Sequence, residues 1–584
     1  MADRVIPISD NSAKVHARAR EIKRQARDCG LGAALSRNGS MTLYLGGRLL
    51  SLKTLLFSLP AKLSSRSLTG RPPIPMSIIR PAANLDLALR EFRRAVGDAY
   101  VKSDRNECDG YLDEYAVGLA NSGKIAGIVQ PASADEIQAI VRIALEYKVP
   151  IWPISRGKNL GYGSSEPVTL GSVVLDLGRM NRILNIDERF AYCELEPGVS
   201  FFDLFDCLQK NKIPLWPSAP GHGWGSVIGN ALERGLGYTP YGNHASKLCG
   251  LEVVLADGSL IRTGMGAMNG SRCWHHCQYG FGPSWDQMFL QSNLGIVTRA
   301  GVWLMPEPEA TLRARINVPA FEDLSSMVDA IAPLRLRNII EHPVVIGNHV
   351  HEAAVFTRRN EWYQGTGSVP NDVLTEIMRA SRAGQWNASV MLYGYPEVIR
   401  AHSDIVARAL ESTLKQETRF DLWTRGEPIE GSAASIPGNE GLRMAKWYGA
   451  SGGHIDLSPV LPPDGKVVLN RAQETRRRYE EFGFDYCASF ILGHRHVTNV
   501  NTILFDRDNP LMIANTKSLF RVLITDCARE GFGLYRTHID FMEEVAKTFD
   551  FNDQAMIRLN EIIKKAIDPE RILAPGKNGI GGRT

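Results

Sequence analysis

The sequence Pro153-Ile-Ser-Arg-Gly-Lys-Asn-Leu-Gly-Tyr-Gly-Ser-Ser-Glu-Pro167 is the most informative part of this 584-residue chain. It begins at the end of an apolar run, residues 149–154, which predicts a strand. Three glycines, Gly157, Gly161 and Gly163, stand there among small hydroxyl residues and two basic residues. Backbone N–H groups in such a loop can surround a pyrophosphate, because glycine adopts the conformations that this requires. The loop predicts phosphate binding, with an ordinary surface turn as the alternative.

Two other Gly-rich stretches follow, Pro220-Gly-His-Gly-Trp-Gly-Ser-Val-Ile-Gly-Asn230 and Ser292-Asn-Leu-Gly-Ile-Val297. Several loops that converge on one large anionic ligand favour FAD as the nucleotide. A third stretch, Gly264-Met-Gly-Ala-Met-Asn-Gly270, is similar to the dinucleotide fingerprint. Its last glycine comes one position late and no helical pattern follows, so we reject an NAD site there.

The hydrophobic pattern predicts an α+β protein with α/β elements. Helices are predicted over residues 84–96 and 133–147, the second with Ser133 as its N-cap and Glu136 three positions later. Strands are predicted over residues 127–131, 149–154, 173–177, 192–196, 251–255 and 261–263, with a hairpin turn at residues 256–259. The glycine content falls after Pro306, and residues 310–530, with helices over 373–383 and 470–482, predict a second domain inserted into the first.

The charge of the chain is unevenly distributed. The whole chain has 67 Lys and Arg against 63 Asp and Glu, but residues 1–80 hold 14 basic and 4 acidic residues. The mildly acidic remainder excludes an electrostatic surface for nucleic acid. The apolar run 43–57 is interrupted by Arg48 and Lys53, so we expect no stable membrane insertion. The basic head is interpreted as an extension, residues 1–78, that is either disordered or a targeting segment.

The nine cysteines show no spacing typical of a disulfide framework, which indicates an intracellular protein, cytoplasmic or organellar. One dense group, Cys273-Trp-His-His-Cys277, offers thiol and imidazole ligands within five positions. Structural zinc sites more often use two separated pairs. We therefore expect no metal site.

Several motifs occur in one order along the chain and together resemble the FAD-linked phenol oxidases typified by vanillyl-alcohol oxidase and 4-cresol dehydrogenase. Besides Pro153–Pro167 they are Gly225-Ser-Val-Ile-Gly-Asn-Ala-Leu-Glu-Arg-Gly-Leu-Gly-Tyr-Thr-Pro-Tyr-Gly242, Arg262-Thr-Gly-Met-Gly266, Tyr279-Gly-Phe-Gly-Pro283, Trp303-Leu-Met-Pro306 and Ile572-Leu-Ala-Pro-Gly-Lys-Asn-Gly-Ile580. The resemblance covers residues 80–580. It implies a two-domain FAD-binding fold in which a cap domain, residues 308–530, is inserted into an FAD domain split between residues 79–307 and 531–584.

The resemblance also implies a substrate site. Tyr162, Tyr535 and Arg536 match the trio that binds the phenolate oxygen of the substrate in this family. Two phenol donors and a guanidinium stabilise an anionic oxygen and lower the pKa of the substrate phenol. Alternation along a strand would instead turn the adjacent Tyr535 and Arg536 to opposite faces, which is the alternative interpretation of this pair.

The cofactor residues follow from the same motifs. His454, in Ser451-Gly-Gly-His-Ile-Asp-Leu-Ser-Pro459, matches the histidine that vanillyl-alcohol oxidase joins covalently to its flavin. The cresol dehydrogenases use a tyrosine slightly earlier, and Lys446 stands near that place here, so a histidyl linkage is favoured. The other predicted FAD contacts are Ser155, Arg156, Gly157, Lys158, Asn159, Gly161, Gly163, Ser226, Asn230, Gly295, Ile296 and Lys577.

The sequence departs from the family pattern at two places. Vanillyl-alcohol oxidase has an aspartate just before its Gly-Ser-Val segment, whereas Pro217-Ser-Ala-Pro-Gly-His222 contains no acid. His222 is the nearest titratable candidate for that role, but the favoured interpretation is an exposed loop histidine. Thr498 and Asn499 replace the family's paired histidines, and His494 and His496 stand just upstream.

The resemblance implies oxidation of 4-hydroxybenzyl alcohols or 4-alkylphenols, with hydride transfer to flavin N5 and a p-quinone methide as the product. Dioxygen is the favoured electron acceptor because of His454, and a separate cytochrome is the alternative, since the chain has no C-x-x-C-H haem motif. An oxidase of sugars or hydroxy acids and a catalytically inactive flavin-binding protein are the rival hypotheses. The family resemblance also implies a homodimer or a larger homo-oligomer.

Overall fold

The computed structural model describes residues 84–115, 124–415, 418–427 and 436–582, together with the backbone of three short strands near the N-terminus. The chain divides into two compact units, residues 1–78 and 79–584. In the first unit, β1 (Gly32–Leu35), β2 (Met41–Leu45) and β3 (Arg48–Ser51) form an antiparallel sheet. The rest of the predicted extension and of the apolar run 43–57 lies outside the described residues. Within the described part of the chain, no helix is long and apolar enough to cross a membrane.

The second unit begins with two sheets and five helices. The helices are α1 (Leu85–Val96), α2 (Arg105–Asp109), α3 (Ala134–Tyr147), α4 (Phe201–Lys210) and α5 (Val227–Leu232). A four-stranded sheet, in the order β4-β5-β7-β6, consists of β4 (Val101–Lys102), β5 (Ile125–Val129), β6 (Ile151–Ile154) and β7 (Ser172–Asp176). The short strands β10 (Leu215–Trp216) and β14 (Met305–Pro306) pair with each other.

The other sheet of this part is five-stranded and antiparallel, in the order β12-β11-β13-β9-β8. Its strands are β8 (Ile183–Asp187), β9 (Tyr192–Leu195), β11 (Leu248–Val254), β12 (Leu260–Arg262) and β13 (Ile296–Trp303). The predicted hairpin turn at residues 256–259 does join β11 to β12. Loops that leave these sheets contain the Gly-rich stretches of the sequence.

Helix α3 shows how local sequence fixes an element of this part. The Ser133 side chain accepts the N–H of Glu136, and the Glu136 carboxylate accepts the N–H of Ala132 at 2.8 Å. The reciprocal bond of the predicted capping box therefore goes one residue further back than Ser133. Ile137, Ile140, Val141 and Ala144 form the buried face of the helix. This face packs on the core that also contains Ile151 and Val173.

The cap is built around one eight-stranded antiparallel sheet, in the order β18-β15-β17-β16-β20-β21-β19-β22. Its strands are β15 (Ala310–Val318), β16 (Val344–Asn348), β17 (Trp386–Gly394), β18 (Phe420–Thr424), β19 (Gly452–Leu461), β20 (Cys487–Leu492), β21 (Val497–Asp506) and β22 (Leu534–Arg536). Its helices are α6 (Asp323–Leu336), α7 (His349–Phe356), α8 (Asn371–Ser381), α9 (Pro396–Leu414), α10 (Gly465–Glu481) and α11 (Pro510–Arg529).

One face of this sheet packs against helices and forms the largest apolar core, to which β19 contributes Ile455 and Leu457. Strand β22 pairs with β19, Arg536 opposite Ser458. The sheet therefore extends beyond residue 530, where we placed the end of the cap. A three-residue strand joined by non-local pairing leaves little trace in the local pattern, and the domain boundaries stay a prediction.

The C-terminal segment contains α12 (Met542–Lys547) and α13 (Phe551–Ile567) and then returns to the first sheet. The N–H of Ile151, on β6, donates to the carbonyl of Ile572, and the N–H of Ala574 donates back to the carbonyl of Ile151, each at 2.8 Å. The chain end thus lies beside the strand that leads into the loop 153–167.

Candidate active site

The polar face of β19 meets the Gly-rich loop. Because side chains alternate along a strand, Ile455 and Leu457 enter the cap core while His454, Asp456 and Ser458 point to the other face. A Cβ placed on Gly161 would lie 2.4 Å from Cε1 of His454, so the imidazole rests directly on the loop backbone. The Tyr162 hydroxyl lies 3.5 Å from the Ser458 hydroxyl. The cap strand and the loop therefore share one site.

Tyr162 and Arg536 are in direct contact at this site. The guanidinium carbon of Arg536 lies 4.1 Å from the centre of the Tyr162 ring, and Nη2 donates to the Asn159 side-chain oxygen at 2.5 Å. The N–H of Ile539 donates to the Tyr162 carbonyl, which ties the loop to the segment after β22. Burial and the Asp456 carboxylate raise the pKa of Tyr162. Tyr162 is therefore a hydrogen-bond donor at neutral pH.

Tyr535 belongs to the same cluster although it is adjacent to Arg536. Burial lowers the pKa of the Arg536 guanidinium, but the neighbouring Tyr162 and Tyr535 outweigh that effect and raise the pKa. Strand β22, which carries both residues, is the edge strand of the cap sheet. The structure brings these three residues together.

Tyr238 is a further phenol at this site that the sequence reasoning missed. Burial raises its pKa to about 12, with contributions from Tyr535 and Asp456. It lies inside the segment 225–242 that carried the family resemblance, so the only signal for it was the motif itself.

The three glycines of the loop have positive φ angles, 62° for Gly157, 77° for Gly161 and 109° for Gly163. A Cβ on Gly163 would lie within 2.6 Å of the Ile539 side chain. The predicted need for glycine thus has a steric basis. Among the other loop residues, Arg156 donates to the Gly198 carbonyl at 2.9 Å, and Lys158 is exposed. Ser155 lies against Gly229 at the start of α5.

The remaining predicted FAD contacts already interact with other residues of the protein. Ser226 caps α5 by accepting the N–H of Gly229, and Asn230 shares a 2.6 Å hydrogen bond with His244. Gly295 lies against Val253, and Ile296 is buried in the core. Lys577 forms an ion pair with Glu233. These residues can offer FAD mainly their backbone, and their assignment as contacts stays a prediction.

The loops nevertheless fit a large polar ligand. Buried polar atoms without a hydrogen-bond partner include Ser164 Oγ and Arg156 Nε of the first loop, and Ser218 Oγ and His222 Nδ1 of the segment 217–222. An unpaired buried polar atom costs about 1–3 kcal/mol. Their clustering on two of the loops predicted to surround FAD means that the residues present fit this cofactor.

His222 differs from the expected exposed loop histidine. It is half-buried, and burial together with the positive charges of His454, Arg536 and Lys158 lowers its pKa to about 4. The segment is held by a bond from the N–H of Gly223 to the carbonyl of Gly438, a contact far along the chain. His222 is therefore a neutral imidazole within the electrostatic reach of the site.

Thr498 and Asn499 are buried on β21, where the Asn499 side chain donates to the Ser489 carbonyl at 3.3 Å. His494 and His496 are both exposed, and Lys446 is exposed as well. In the Cys273–Cys277 segment, His275 bonds the Cys249 carbonyl and Cys273 is exposed. Among the described residues, no group of three or more His, Cys, Asp or Glu side chains has the geometry of a metal site.

Comparison with known proteins identifies the family of this chain. Residues 125–264 match the FAD binding domain, and residues 444–578 match the C-terminal domain of FAD linked oxidases. The chain is 34% identical over 505 residues to the flavoprotein subunit of 4-cresol dehydrogenase (hydroxylating) from Pseudomonas putida, covering 84% of this chain and 95% of the relative. The chain belongs to the vanillyl-alcohol oxidase and 4-cresol dehydrogenase family. It is an FAD-dependent oxidoreductase.

Solved structures agree with this membership. A 4-ethylphenol oxidase from Gulosibacter chungangensis, in complex with isoeugenol, superposes with a TM-score of 0.82 at 33% identity and covers 86% of this chain and 99% of its own. Substrate-bound p-cresol methylhydroxylase superposes with a TM-score of 0.80 at 33% identity, covering 85% and 97%. The predicted two-domain FAD-binding fold of this family is confirmed.

Gly161→Ala tests the contact between loop and cap. The new Cβ would meet the His454 ring at 2.4 Å in a backbone with φ of 77°, so both strain and displacement are expected. We expect the purified variant to contain at least about tenfold less FAD per chain, measured from its visible absorbance, and to melt earlier. The matched control is Gly171→Ala, where φ is 76° but no atom lies within 4 Å. Equal flavin content in both variants would contradict the prediction.

Proposed function

We propose that this enzyme oxidises para-substituted phenols, either 4-alkylphenols or 4-hydroxybenzyl alcohols, at the benzylic carbon. The cluster of Tyr162, Tyr535 and Arg536 carries the proposal, since a guanidinium 4.1 Å from one phenol ring and close to a second phenol suits an anionic oxygen. A neutral sugar offers no anionic oxygen to this arrangement. The names of the relatives, 4-cresol dehydrogenase and 4-ethylphenol oxidase, support the same substrate class.

The residues of this chain bind the substrate and stabilise the negative charge on its phenolate oxygen. Arg536 stays cationic, and Tyr162 stays protonated because burial and Asp456 raise its pKa, so both can donate to a phenolate oxygen. Charge-assisted hydrogen bonds in a buried site favour the ionised form of the substrate. A phenolate pushes electron density through the ring and assists the loss of hydride from the para carbon. FAD, when bound, supplies the acceptor for that hydride.

The organic product of this step is a p-quinone methide, which either adds water or tautomerises. His222 takes the place of the acid that vanillyl-alcohol oxidase has near its Gly-Ser-Val segment. With a pKa of about 4, its proton affinity is close to that of an ordinary aspartate, near 3.9, yet its basic form is uncharged. We propose His222 as the group that accepts the proton from the added water.

His454 is proposed as the point of covalent attachment, and dioxygen as the final electron acceptor, which gives hydrogen peroxide. A cytochrome acceptor is the second candidate, because the relative from Pseudomonas putida is named a dehydrogenase with a flavoprotein subunit. Mixing the anaerobically reduced enzyme with air-saturated buffer separates the two. Reoxidation within seconds supports dioxygen, and reoxidation over many minutes supports a protein acceptor. A homodimer or larger assembly is proposed from the resemblance alone.

Anaerobic mixing with substrates tests the function. We expect 4-ethylphenol and vanillyl alcohol to bleach the visible absorbance of the flavin, because the phenolate site activates both, whereas glucose should leave it unchanged. A matched control is 4-ethylanisole, which has the same para chain but no ionisable hydroxyl. Bleaching by the anisole as fast as by the phenol, or no bleaching by any phenol, would exclude the proposed reaction.

A further inference from the structure

Asp456 is a buried carboxylate at the centre of the site whose role so far is to raise the pKa of Tyr162. The residue is 9% exposed and stands between Ile455 and Leu457, which both enter the cap core. One carboxylate oxygen accepts the Thr502 hydroxyl at 2.7 Å across the β19–β21 pair. A buried carboxylate is costly unless it is paired, so its other oxygen needs a partner.

That partner is His454. The second carboxylate oxygen of Asp456 lies 3.4 Å from Nδ1 of the imidazole, and this is the one ion pair of Asp456 within the described ranges. The two residues are two positions apart on β19 and therefore share a face. Burial would lower the pKa of His454, but Asp456 outweighs that effect and raises it above the ordinary value. The charge of Asp456 therefore affects the pKa of His454 more strongly than burial does.

The imidazole is fixed on its other sides as well. Its Cε1 edge rests on Gly161, and its ring lies 5.2 Å from the Tyr115 ring at an angle of 48°. Nδ1 is buried and makes no hydrogen bond of good geometry, but a carboxylate oxygen of Asp456 lies 3.4 Å from it. A proton on Nδ1 is attracted by the negative charge of that carboxylate. Asp456 therefore favours the tautomer with the proton on Nδ1 and the lone pair on Nε2.

We propose that Asp456 is the positioning residue that prepares His454 for covalent attachment to FAD. The inference rests on the proposed role of His454 and adds the group that sets the tautomer, the ring orientation and the charge of the nucleophile. Thr502 in turn holds the carboxylate. The carboxylate contacts Nδ1 of the imidazole and leaves Nε2 free. An acid that orients a histidine in this way occurs in other enzyme sites.

The step balances as follows. Nε2 of His454 would form a bond to the methyl carbon at the edge of the isoalloxazine while one C–H bond of that methyl breaks. The two electrons of the C–H bond would remain in the ring system until dioxygen accepts them with two protons, one from the methyl group and one from solvent, and leaves as hydrogen peroxide. Substitution at Nε2 leaves the imidazole with a positive charge as long as Nδ1 keeps its proton. The Asp456 carboxylate, 3.4 Å away, stabilises that charge in a buried site.

The purified holoenzyme tests this assignment. We expect Asp456→Asn to bind FAD but to retain less than about one tenth of the wild-type fraction of flavin after acid precipitation, read as fluorescence of the protein band in a denaturing gel. Asp456→Glu should restore a substantial part of it, because the charge returns. Total flavin, measured before acid treatment, should stay within about twofold of wild type. A merely structural role would lower total and covalent flavin together.

Asp506→Asn is the matched control, since Asp506 lies on the neighbouring strand and bonds Ser451 rather than the imidazole. It should keep its covalent flavin. If Asp456→Asn does not fold, Thr502→Val serves instead, because it keeps the charge and removes only the hydroxyl that holds it, and the covalent fraction should fall about threefold or more. Wild-type covalent fractions in the Asp456 and Thr502 variants would overturn the role of Asp456. Acid release of all flavin from the wild type, beside normal bleaching by phenols, would overturn the linkage but leave the proposed reaction standing.

Discussion

Arg536→Ala is expected to lower kcat/KM for 4-ethylphenol by about 10²–10³-fold, close to the effect of removing one preorganised donor from a developing oxyanion. Arg536 is the cation of the phenolate cluster, with its guanidinium 4.1 Å from the Tyr162 ring and a hydrogen bond to Asn159. Its loss leaves two phenols to hold a buried negative charge. At about 1.36 kcal/mol per factor of ten, the expected loss corresponds to about 3–4 kcal/mol.

The binding of 4-nitrophenol separates this effect from general damage, because its absorbance distinguishes the phenolate from the phenol. The wild type should bind the phenolate and shift the ionisation of the ligand to lower pH, since a nearby cation favours the charged form. Arg536→Ala should bind the neutral form or none, and Arg536→Lys should recover part of the shift. Arg521→Ala is the matched control, because Arg521 also lies over an aromatic ring, Phe541, but at an exposed site. An unchanged ligand spectrum in Arg536→Ala would remove Arg536 from the site.

The sequence could predict the elements whose signals are local. Helix α3 has its cap and apolar face in consecutive residues, and the strand before the Gly-rich loop is continuous and apolar, so both were found within a few residues. The pairing of β22 with β19 was not predicted, because it joins residues about 80 positions apart. Non-local pairing of a short strand is invisible to periodicity.

Prediction of the candidate site was limited in the same way, because its contacts join residues that are distant in the sequence. The sequence could name Tyr535 and Arg536, but alternation along a strand would separate their side chains, and periodicity alone could not show that both lie near Tyr162. His222 was expected in solvent, yet residue 438 of the cap covers its segment. Asp456 had a local signal that was overlooked. On a strand, the residue two positions after His454 shares its face, and an acid there is already a reason to expect a pair.

Lys564→Met is expected to destabilise the folded enzyme by about 3–5 kcal/mol, the usual cost of leaving one charge of a buried pair unpaired. Lys564 and Asp568 are both fully buried, with Nζ 2.7 Å from the carboxylate. The same ammonium donates to the carbonyls of Asn293 and Leu573, each at 2.7 Å. It therefore joins α13, the loop before β13 and the chain end that lies beside β6.

Urea unfolding followed by tryptophan fluorescence and by the rise of flavin fluorescence on exposure of the cofactor measures this effect. Flavin fluorescence should rise at lower urea than in the wild type, because the chain end that Lys564 holds lies beside the strand leading into the Gly-rich loop. Lys547→Met, which breaks an exposed pair with Glu543, should change stability by less than about 1 kcal/mol. Adding Asp568→Asn to Lys564→Met should recover part of the loss, because the unpaired charge is then gone. If Lys564→Met unfolds like the Lys547 control, the apolar contacts of Ile572 and Leu573 hold the chain end without the ion pair.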